Sequence, residues 1–345
     1  MPKMPFDDRL RLPLIVAPML RVSGVDLVAA ACGAGAIGAF PTANCRDQAE
    51  LDDWMSRLDL AGERARDAGR AVAPYCPNLI MRRSAQALRA DIDCVVAHRC
   101  ELVITSVGSP ADVLPRLHDA GCRVLADVAS LRHAEKAVEA GADGLVLLCA
   151  GAGGQTGWAN PFAFVRALRR DYDGVIVLAG GLTDGRGLHA AIELGADYGY
   201  MGTRFVATRE SMAADPYKQM VVDSELDDIV LTSAVTGLPA NFIAASLERA
   251  GLDPRALPDH VTIEAARARF GGQVAGGDRP RRWSDIWSAG HSVSGIPDVP
   301  ATAALIDRLV HEYRTAASPR PSNAATAGSG TRQAGDPVAG GRARR

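Results

Sequence analysis

The 345-residue chain lacks any excess of positive charge: 38 Lys and Arg against 40 Asp and Glu leave a formal net charge of −2. Faces that bind nucleic acid need clustered Lys and Arg to neutralise phosphates, so that partner class is excluded. No apolar run approaches the roughly 20 residues of a membrane helix. The start, Met-Pro-Lys-Met-Pro-Phe-Asp-Asp, has acids and prolines where a secretion signal would carry an apolar stretch. The cysteines, at 32, 45, 76, 94, 100, 122 and 149, are odd in number and form no CxxC pair. That pattern reads as a reduced, cytoplasmic protein without a zinc site. A Rossmann GxGxxG unit is also missing, so the sequence fixes no dinucleotide preference, although a barrel can bind a dinucleotide transiently.

What the chain has is apolar content, 48% of its residues, and a length usual for an α/β barrel with additions. Short β-rich runs alternate with helix-period segments. The strands are expected at Leu14 to Ala17, Ala36 to Phe40, Ala71 to Pro74, Leu102 to Thr105, Arg123 to Asp127, Gly144 to Leu148, Val175 to Ala179 and Tyr198 to Met201. Helical patterns between them include Ala111 to Ala120, Leu131 to Ala140 and Gly187 to Leu194. Near-continuous apolar strands separated by helices predict a buried parallel sheet with right-handed crossovers, and eight such units predict closure into a TIM (β/α)8 barrel.

After the eighth strand the texture changes. The spacing predicts a barrel over residues 1–207 and a helical insertion or cap over 208–280, with a turn at Thr236-Gly-Leu-Pro239 and a helix from Asn241 to Ala250. A C-terminal segment over 281–317 is expected to pack back on the barrel, with a helix from Ala301 to Arg314. Residues 318–345, rich in Ala, Gly, Ser, Pro and Arg without apolar period, read as a disordered tail.

Candidate chemistry gathers at strand ends. The loop Cys149-Ala-Gly-Ala-Gly-Gly-Gln-Thr-Gly157 follows the sixth strand, and similar signals follow at Ala179-Gly-Gly-Leu182 and Met201-Gly-Thr-Arg204. Barrel enzymes work at the C-terminal ends of their strands, and the last two such loops commonly hold a phosphate. Gly180, Gly181, Gly202 and Thr203 occupy those two places, with backbone N–H groups at a helix start able to face an anion.

These motifs, with Ala-Pro-Met at 17–19, Asn78, Met-Gly-Thr-Arg-Phe at 201–205 and Trp-Ser-Ala-Gly-His at 287–291, resemble the nitronate monooxygenase family. That family is also called 2-nitropropane dioxygenase-like and includes flavin enoyl reductases. The resemblance runs from about Pro13 to Tyr313. It implies an FMN-dependent oxidoreductase on a TIM barrel. Ala17, Pro18 and Met19 would then pass beneath the flavin ring, and Asn78 would hydrogen-bond to it. Gly153 and Gly154 would admit the sixth-strand loop to the ring, Gly180, Gly181, Gly202 and Thr203 would hold the phosphate, and Met201 would also contact the cofactor. From the residues alone, Pro18 also reads as a strand-end turn and Met19 as a core gap-filler.

Two positions depart from the family pattern. Relatives usually carry His after the glycine pair, as the base that deprotonates the carbon beside a nitro group; here it is Gln155. An amide cannot titrate, but it can donate and accept hydrogen bonds. The second departure is Asp127, in Val124-Leu-Ala-Asp-Val128, where some relatives have Lys. It would suit acceptance from the flavin N3–H, act as an acid or base if burial raised its pKa, or simply cap the helix starting near Ser130. His291 is a candidate replacement base, in a loop that would reach the mouth. His98, His133, His189 and His311 read as helix-end or solvent-facing residues. Cys149 occupies the place of a nucleophilic cysteine in IMP dehydrogenase-like barrels, but without a basic neighbour it reads as a small buried hydrophobe.

Three classes of function follow. The first is hydride transfer to or from an activated small substrate such as an enoyl thioester, with NAD(P)H or another redox partner. The second is oxidation of alkyl nitronates with O2, and the third is a flavin-binding protein without turnover. Oligomeric state is open.

Overall fold

The computed structural model describes residues 4–271 and 281–318. Eight parallel strands close into a barrel. The first half alternates as β1 (Leu14–Val16), α1 (Val25–Gly33), β2 (Ile37–Pro41), α2 (Gln48–Asp67), β3 (Tyr75–Ile80), α3 (Ala85–Ala97), β4 (Leu102–Ser106) and α4 (Leu114–Asp119). It continues with β5 (Arg123–Val128), α5 (Leu131–Glu139) and β6 (Gly144–Leu148), then a two-residue strand, β7 (Gly154–Gln155), and α6 (Pro161–Leu168). The barrel is completed by β8 (Val175–Ala179), α7 (Gly185–Leu194) and β9 (Tyr198–Met201), with β9 pairing back to β1. The fold is therefore the expected TIM barrel, and β6, β8 and β9 have the expected limits.

Strand three lies later than the apolar run suggests. Val72 and Ala73 are buried, but Ala73 N–H donates to Cys32 O in α1 at 3.1 Å rather than to the sheet. The pairing strand is Tyr75–Ile80 and includes Pro77. A proline inside the run cannot donate to a ladder and so masks a strand in sequence.

The helices cover the barrel through one stripe each. The alternation of the strands separates two packed layers. Leu14, Val16, Leu145, Leu147, Ile176 and Leu178 face the helices, whereas Ile15, Ile37, Cys76, Ile104, Leu125, Val146, Val177 and Tyr198 fill the barrel interior. Burial of these side chains is the main favourable contribution, roughly 1.5–3 kcal/mol for each large one.

The insertion after β9 holds α8 (Thr203–Val206), α9 (Asp215–Asp223), a hairpin of β10 (Ile229–Thr232) and β11 (Ala240–Ile243), α10 (Ala244–Arg249) and α11 (Ile263–Phe270). The helix expected from Asn241 starts only at Ala244. The residues before it are extended because β11 lies between two strands: β10 on one side and β7, in the loop after β6, on the other. A strand with both edges paired satisfies its backbone better than a helix start would.

The chain then returns to the barrel. Asp298 bonds Arg204 at the start of the insertion (3.1 Å) and Arg308 in α12 (Thr302–Ala316) at 2.8 Å. α12 packs beside α7, with Glu312 accepting from Gly185 N–H at 2.8 Å, and supplies the helix missing after the eighth barrel strand. The insertion is thus an excursion between β9 and its covering helix. The expected tail falls outside the described residues beyond Ser318, as does the 272–280 part of the insertion.

Candidate active site

The period of two along the strands builds the floor of the site. One step beyond the interior layer, the barrel strands present Ala17, Pro41, Asn78, Ser106, Asp127, Leu148, Ala179 and Tyr200, and all eight positions line one cavity of about 390 Å³. A strand places residues i and i+2 on the same face, so the residue following Ile15, Ala39, Cys76, Ile104, Leu125, Val146, Val177 or Tyr198 in that series emerges at the barrel's C-terminal mouth.

Four of these floor residues are polar. Asn78 is buried, donates from Nδ2 to Ser106 Oγ at 3.2 Å and to Ile104 O at 3.3 Å, and accepts from Ser106 Oγ through Oδ1. Asp127 is different: its Oδ1 is buried with no hydrogen-bond partner among the described residues. Burial pushes its carboxyl from the usual 3.8 up to about 7. Its reading as a helix cap is overturned, because Ser130 caps α5 by accepting from His133 N–H. Burial, followed by the neighbouring Asp127 and Cys76, raises the Tyr200 phenol well above its ordinary value.

The loop after β6 forms one wall. Gly153 sits where a Cβ would lie 2.8 Å from Gly290 N and 2.9 Å from Thr203 Oγ1, so only glycine permits this approach. Thr203 Oγ1 itself accepts from Gly290 N–H at 2.9 Å, across 87 residues of sequence. Asn241 of β11 donates to Ala152 O at 2.7 Å from a buried position. The loop is therefore held on three sides, by the start of α8, by the C-terminal segment and by the cap hairpin. Gln155 lines the cavity, and its side-chain amide makes no hydrogen bond to another described residue.

The expected phosphate side is also assembled. Gly180 and Gly181 have φ of 119° and 77°, conformations that favour glycine. Gly180 packs under the β6 loop, within 3.3 Å of Cys149 O for an added Cβ, whereas Gly181 faces open space. Gly202 and Thr203 border the same cavity, as do Pro18, Met19, Gly153 and Gly154.

Two candidates are not brought together with the rest. The Met201 side chain is buried between the barrel and the helices, in phase with Gly199 rather than with Tyr200, so it does not line the cavity. His291 is exposed; its ring packs on Gly151 outside the cavity, and its backbone N–H donates to Gly151 O at 2.9 Å. Cys149 is buried, with its thiol pushed up to about 12 by burial and its Sγ on Leu147 O, which makes it a packing residue.

Other residues also line the cavity. Tyr200 and Ser106 were legible in principle by extending the alternation from Tyr198 and Ile104. Arg82, Tyr217, Arg282 and Trp283 carry no local signal, whereas Trp287 opens the Trp-Ser-Ala-Gly-His motif at 287–291. Tyr217 and Trp287 stack at 4.9 Å between ring centroids, and the Tyr217 hydroxyl donates to Ser288 O at 2.6 Å, fixing an aromatic wall opposite the floor.

Fold and site together define a TIM-barrel enzyme with a closed polar floor and glycine-rich loops at its strand ends. A family model described as nitronate monooxygenase matches residues 56–312. The chain belongs to the nitronate monooxygenase family and is an oxidoreductase. Among curated relatives, a nitronate monooxygenase of Paraburkholderia phytofirmans is 29% identical, with 74% of this chain and 79% of that protein covered. A nitronate monooxygenase of Pseudomonas aeruginosa is 29% identical over 88% of this chain and 96% of the relative. A (3aS,4S,5R,7aS)-5-hydroxy-7a-methyl-1-oxo-octahydro-1H-indene-4-carboxyl-CoA dehydrogenase of Mycobacterium tuberculosis is 28% identical, covering 68% of this chain and 64% of that one. The fold matches the solved structure of FabK from Thermotoga maritima with a TM-score of 0.71 at 24% identity, over 91% of this chain and 97% of the other. The family match begins after α2 has started, yet Ala17, Pro18 and Met19 lie on the same cavity as the matched residues. No helix among the described residues is long and apolar enough to cross a membrane.

Proposed function

We propose that this chain is an FMN-dependent oxidoreductase that transfers hydride to or from an activated alkene of the enoyl-thioester type, with NAD(P)H or another redox partner completing the cycle. Three features of the cavity support this cofactor. Its volume of about 390 Å³ lies in the range of ligand sites. Gly181 leaves open space where a phosphate would approach backbone N–H groups. The orphaned Oδ1 of Asp127 requires a donor that the protein does not supply. Gly180, Gly181, Gly202 and Thr203 would hold the phosphate, and Ala17, Pro18, Met19, Asn78, Gly153, Gly154 and Asp127 would border the ring. When bound, FMN supplies hydride exchange with carbon.

The observation that carries the reading is Gln155: its amide faces the cavity at the usual base position, and no histidine is among the lining residues. Hydride transfer to an activated alkene needs groups that orient a carbonyl and stabilise an enolate, which amide N–H donors do. Asp127, with a carboxyl near neutrality, is the lining group able to hold or release a proton at working pH. The insertion supplies the lid of the site through Tyr217, Thr236, Leu238 and Ile263. Seven unpaired cysteine thiols fit a reducing, cytoplasmic setting.

Nitronate oxidation is the second reading, favoured by the two nitronate monooxygenase relatives. A preformed nitronate has already lost its proton, so the absence of histidine does not exclude it. Anaerobic mixing of the purified yellow protein with NADH, NADPH, an enoyl-CoA or propionate 3-nitronate separates the readings. Bleaching by a nicotinamide donor followed by reoxidation with enoyl-CoA supports hydride transfer. Reduction by the nitronate alone supports the second reading, and protein that carries no FMN overturns both.

A further inference from the structure

The charged side chains of the cavity fall in two places. Among the described residues its floor holds one carboxyl, Asp127, and the other charged side chains on its lining are two guanidinium groups, Arg82 and Arg282. Arg82 is exposed in the turn after β3, and Arg282 is half-buried in the C-terminal segment, its backbone N–H fixed on Phe270 O at 3.0 Å. Each has a sequence neighbour that is engaged elsewhere. Arg83 bonds Asp91, and Arg281 bonds Asp285 at 3.1 Å. Arg249, nearby, lies over the Trp287 ring at 3.4 Å. Arg82 and Arg282 have no such partner among the described residues.

Burial, and then the like charge of Arg267, lowers the Arg282 guanidinium from its ordinary value. A cation held half-buried beside another cation is poorly stabilised until an anion arrives. Guanidinium groups match phosphate with paired N–H donors, and Trp283 adds an aromatic surface beside Arg282 on the same wall. Asp127 lies on the floor, whereas Arg82 and Arg282 line the cavity outside it, from the turn after β3 and from the C-terminal segment, so the anion belongs to the end of the reactant away from the floor.

We infer that Arg82 and Arg282 form a phosphate-binding rim for a nucleotide-bearing reactant whose reacting end lies among the floor residues. The inference rests on the hydride-transfer reading above. Two sources share this chemistry, an acyl-CoA thioester and a nicotinamide dinucleotide.

The test is equilibrium binding to the intact protein, followed by quenching of its tryptophan fluorescence. The probes are coenzyme A, NADH, NADPH and pantetheine, which lacks the phosphates. The variants are Arg82→Ala, Arg282→Ala, Arg282→Lys and, as a control for net charge, the exposed Arg170→Ala. Loss of either rim arginine should weaken a phosphate-bearing probe about 10- to 100-fold, as for a charged hydrogen bond. Arg282→Lys should recover part of the loss, and Arg170→Ala and pantetheine should show no change. Whether coenzyme A or a dinucleotide responds identifies the source. Unchanged affinities in both alanine variants overturn the rim, as does equal weakening of pantetheine. Arginine-dependent binding of coenzyme A, with no spectral response of the flavin to an enoyl-CoA or a dinucleotide, would leave the rim standing and sink the reaction reading.

Discussion

Gln155 stands opposite Ala240 in the antiparallel pair that joins β7 to β11. The backbone at the usual base position is thereby held by the cap hairpin, while the side chain remains available to a ligand. The cap is accordingly part of the architecture of the loop after β6 and not an appendage to it.

Restoring a base at this position should restore base chemistry. In Gln155→His, oxygen uptake with a neutral nitroalkane should rise by about 10²–10⁴, the factor a positioned base supplies. Uptake with the corresponding preformed nitronate should change little. A variant as inactive as the parent towards the nitroalkane would show that a missing base is not what limits that reaction.

Asn241 ties the hairpin to the loop through its bond to Ala152 O at 2.7 Å. Asn241→Ala leaves that carbonyl without its buried donor, which costs about 1–3 kcal/mol. The denaturant midpoint should fall accordingly with an unchanged m-value. No change in midpoint would mean that water replaces the amide and the tie is dispensable.

Gly153→Ala tests the three-sided clamp. Its Cβ would lie 2.8 Å from Gly290 N and 2.9 Å from Thr203 Oγ1, so the loop or the C-terminal segment must shift. The expected result is purified protein with a smaller bound-flavin absorbance per chain and a flavin Kd raised roughly tenfold or more, about 1.4 kcal/mol. Full flavin occupancy at parental affinity would count against a flavin bordered by this loop.

Asp127 carries a pH signature. Burial raises its folded-state pKa from 3.8 to about 7, so between those values the native state binds a proton that the unfolded state has lost. Stability therefore falls as pH rises from about 4 to about 7 and levels off beyond. Asp127→Asn should flatten this slope and be more stable than the parent at pH 8, by roughly 1–3 kcal/mol, since the carboxyl borders the cavity and the full shift is not realised. Urea titrations across this range check it, and a variant with the parental slope would place the titration elsewhere.

His98 should show the same sign of pH dependence in a higher window, but here removing the group destabilises. Burial by itself lowers its imidazole, but hydrogen bonds to Asp59 at 2.6 Å and Asp52 at 3.1 Å outweigh it and raise the pKa above 6.5. The stabilisation is then fully present below about 6.5 and lost as pH rises through the folded value. The deficit of His98→Gln in urea midpoint should be largest near pH 6 and shrink towards pH 9; a deficit that grows with pH contradicts the assignment.

Much of the barrel was legible because its strands are apolar on both faces. Gly144–Leu148, Val175–Ala179 and Tyr198–Met201 stand out for that reason, and each is followed by a glycine-rich loop. The third strand was not legible, since Pro74 and Pro77 break up its apolar signal and the pairing with β2 that defines it is remote. β11 was misread for a related cause: Ala240–Ile243 is extended because β7 and β10 lie on either side of it, and neither neighbour is visible in the local pattern.

By itself, the sequence determined the eight-fold alternation, the placing of the glycine loops at strand ends and the identity of Gln155 where a base is usual. These follow from local periodicity and from which residues the backbone tolerates. The tertiary structure alone decided which side chains reach the cavity. It turned Met201 to the helix layer and His291 to the outside, brought Tyr200 and Ser106 to the floor, and put Arg82 and Arg282 on the lining of the same cavity. It also gave Asp127 a carboxyl near neutrality, because a pKa depends on the water and charge that surrounding elements exclude or supply, and those elements are distant in the chain.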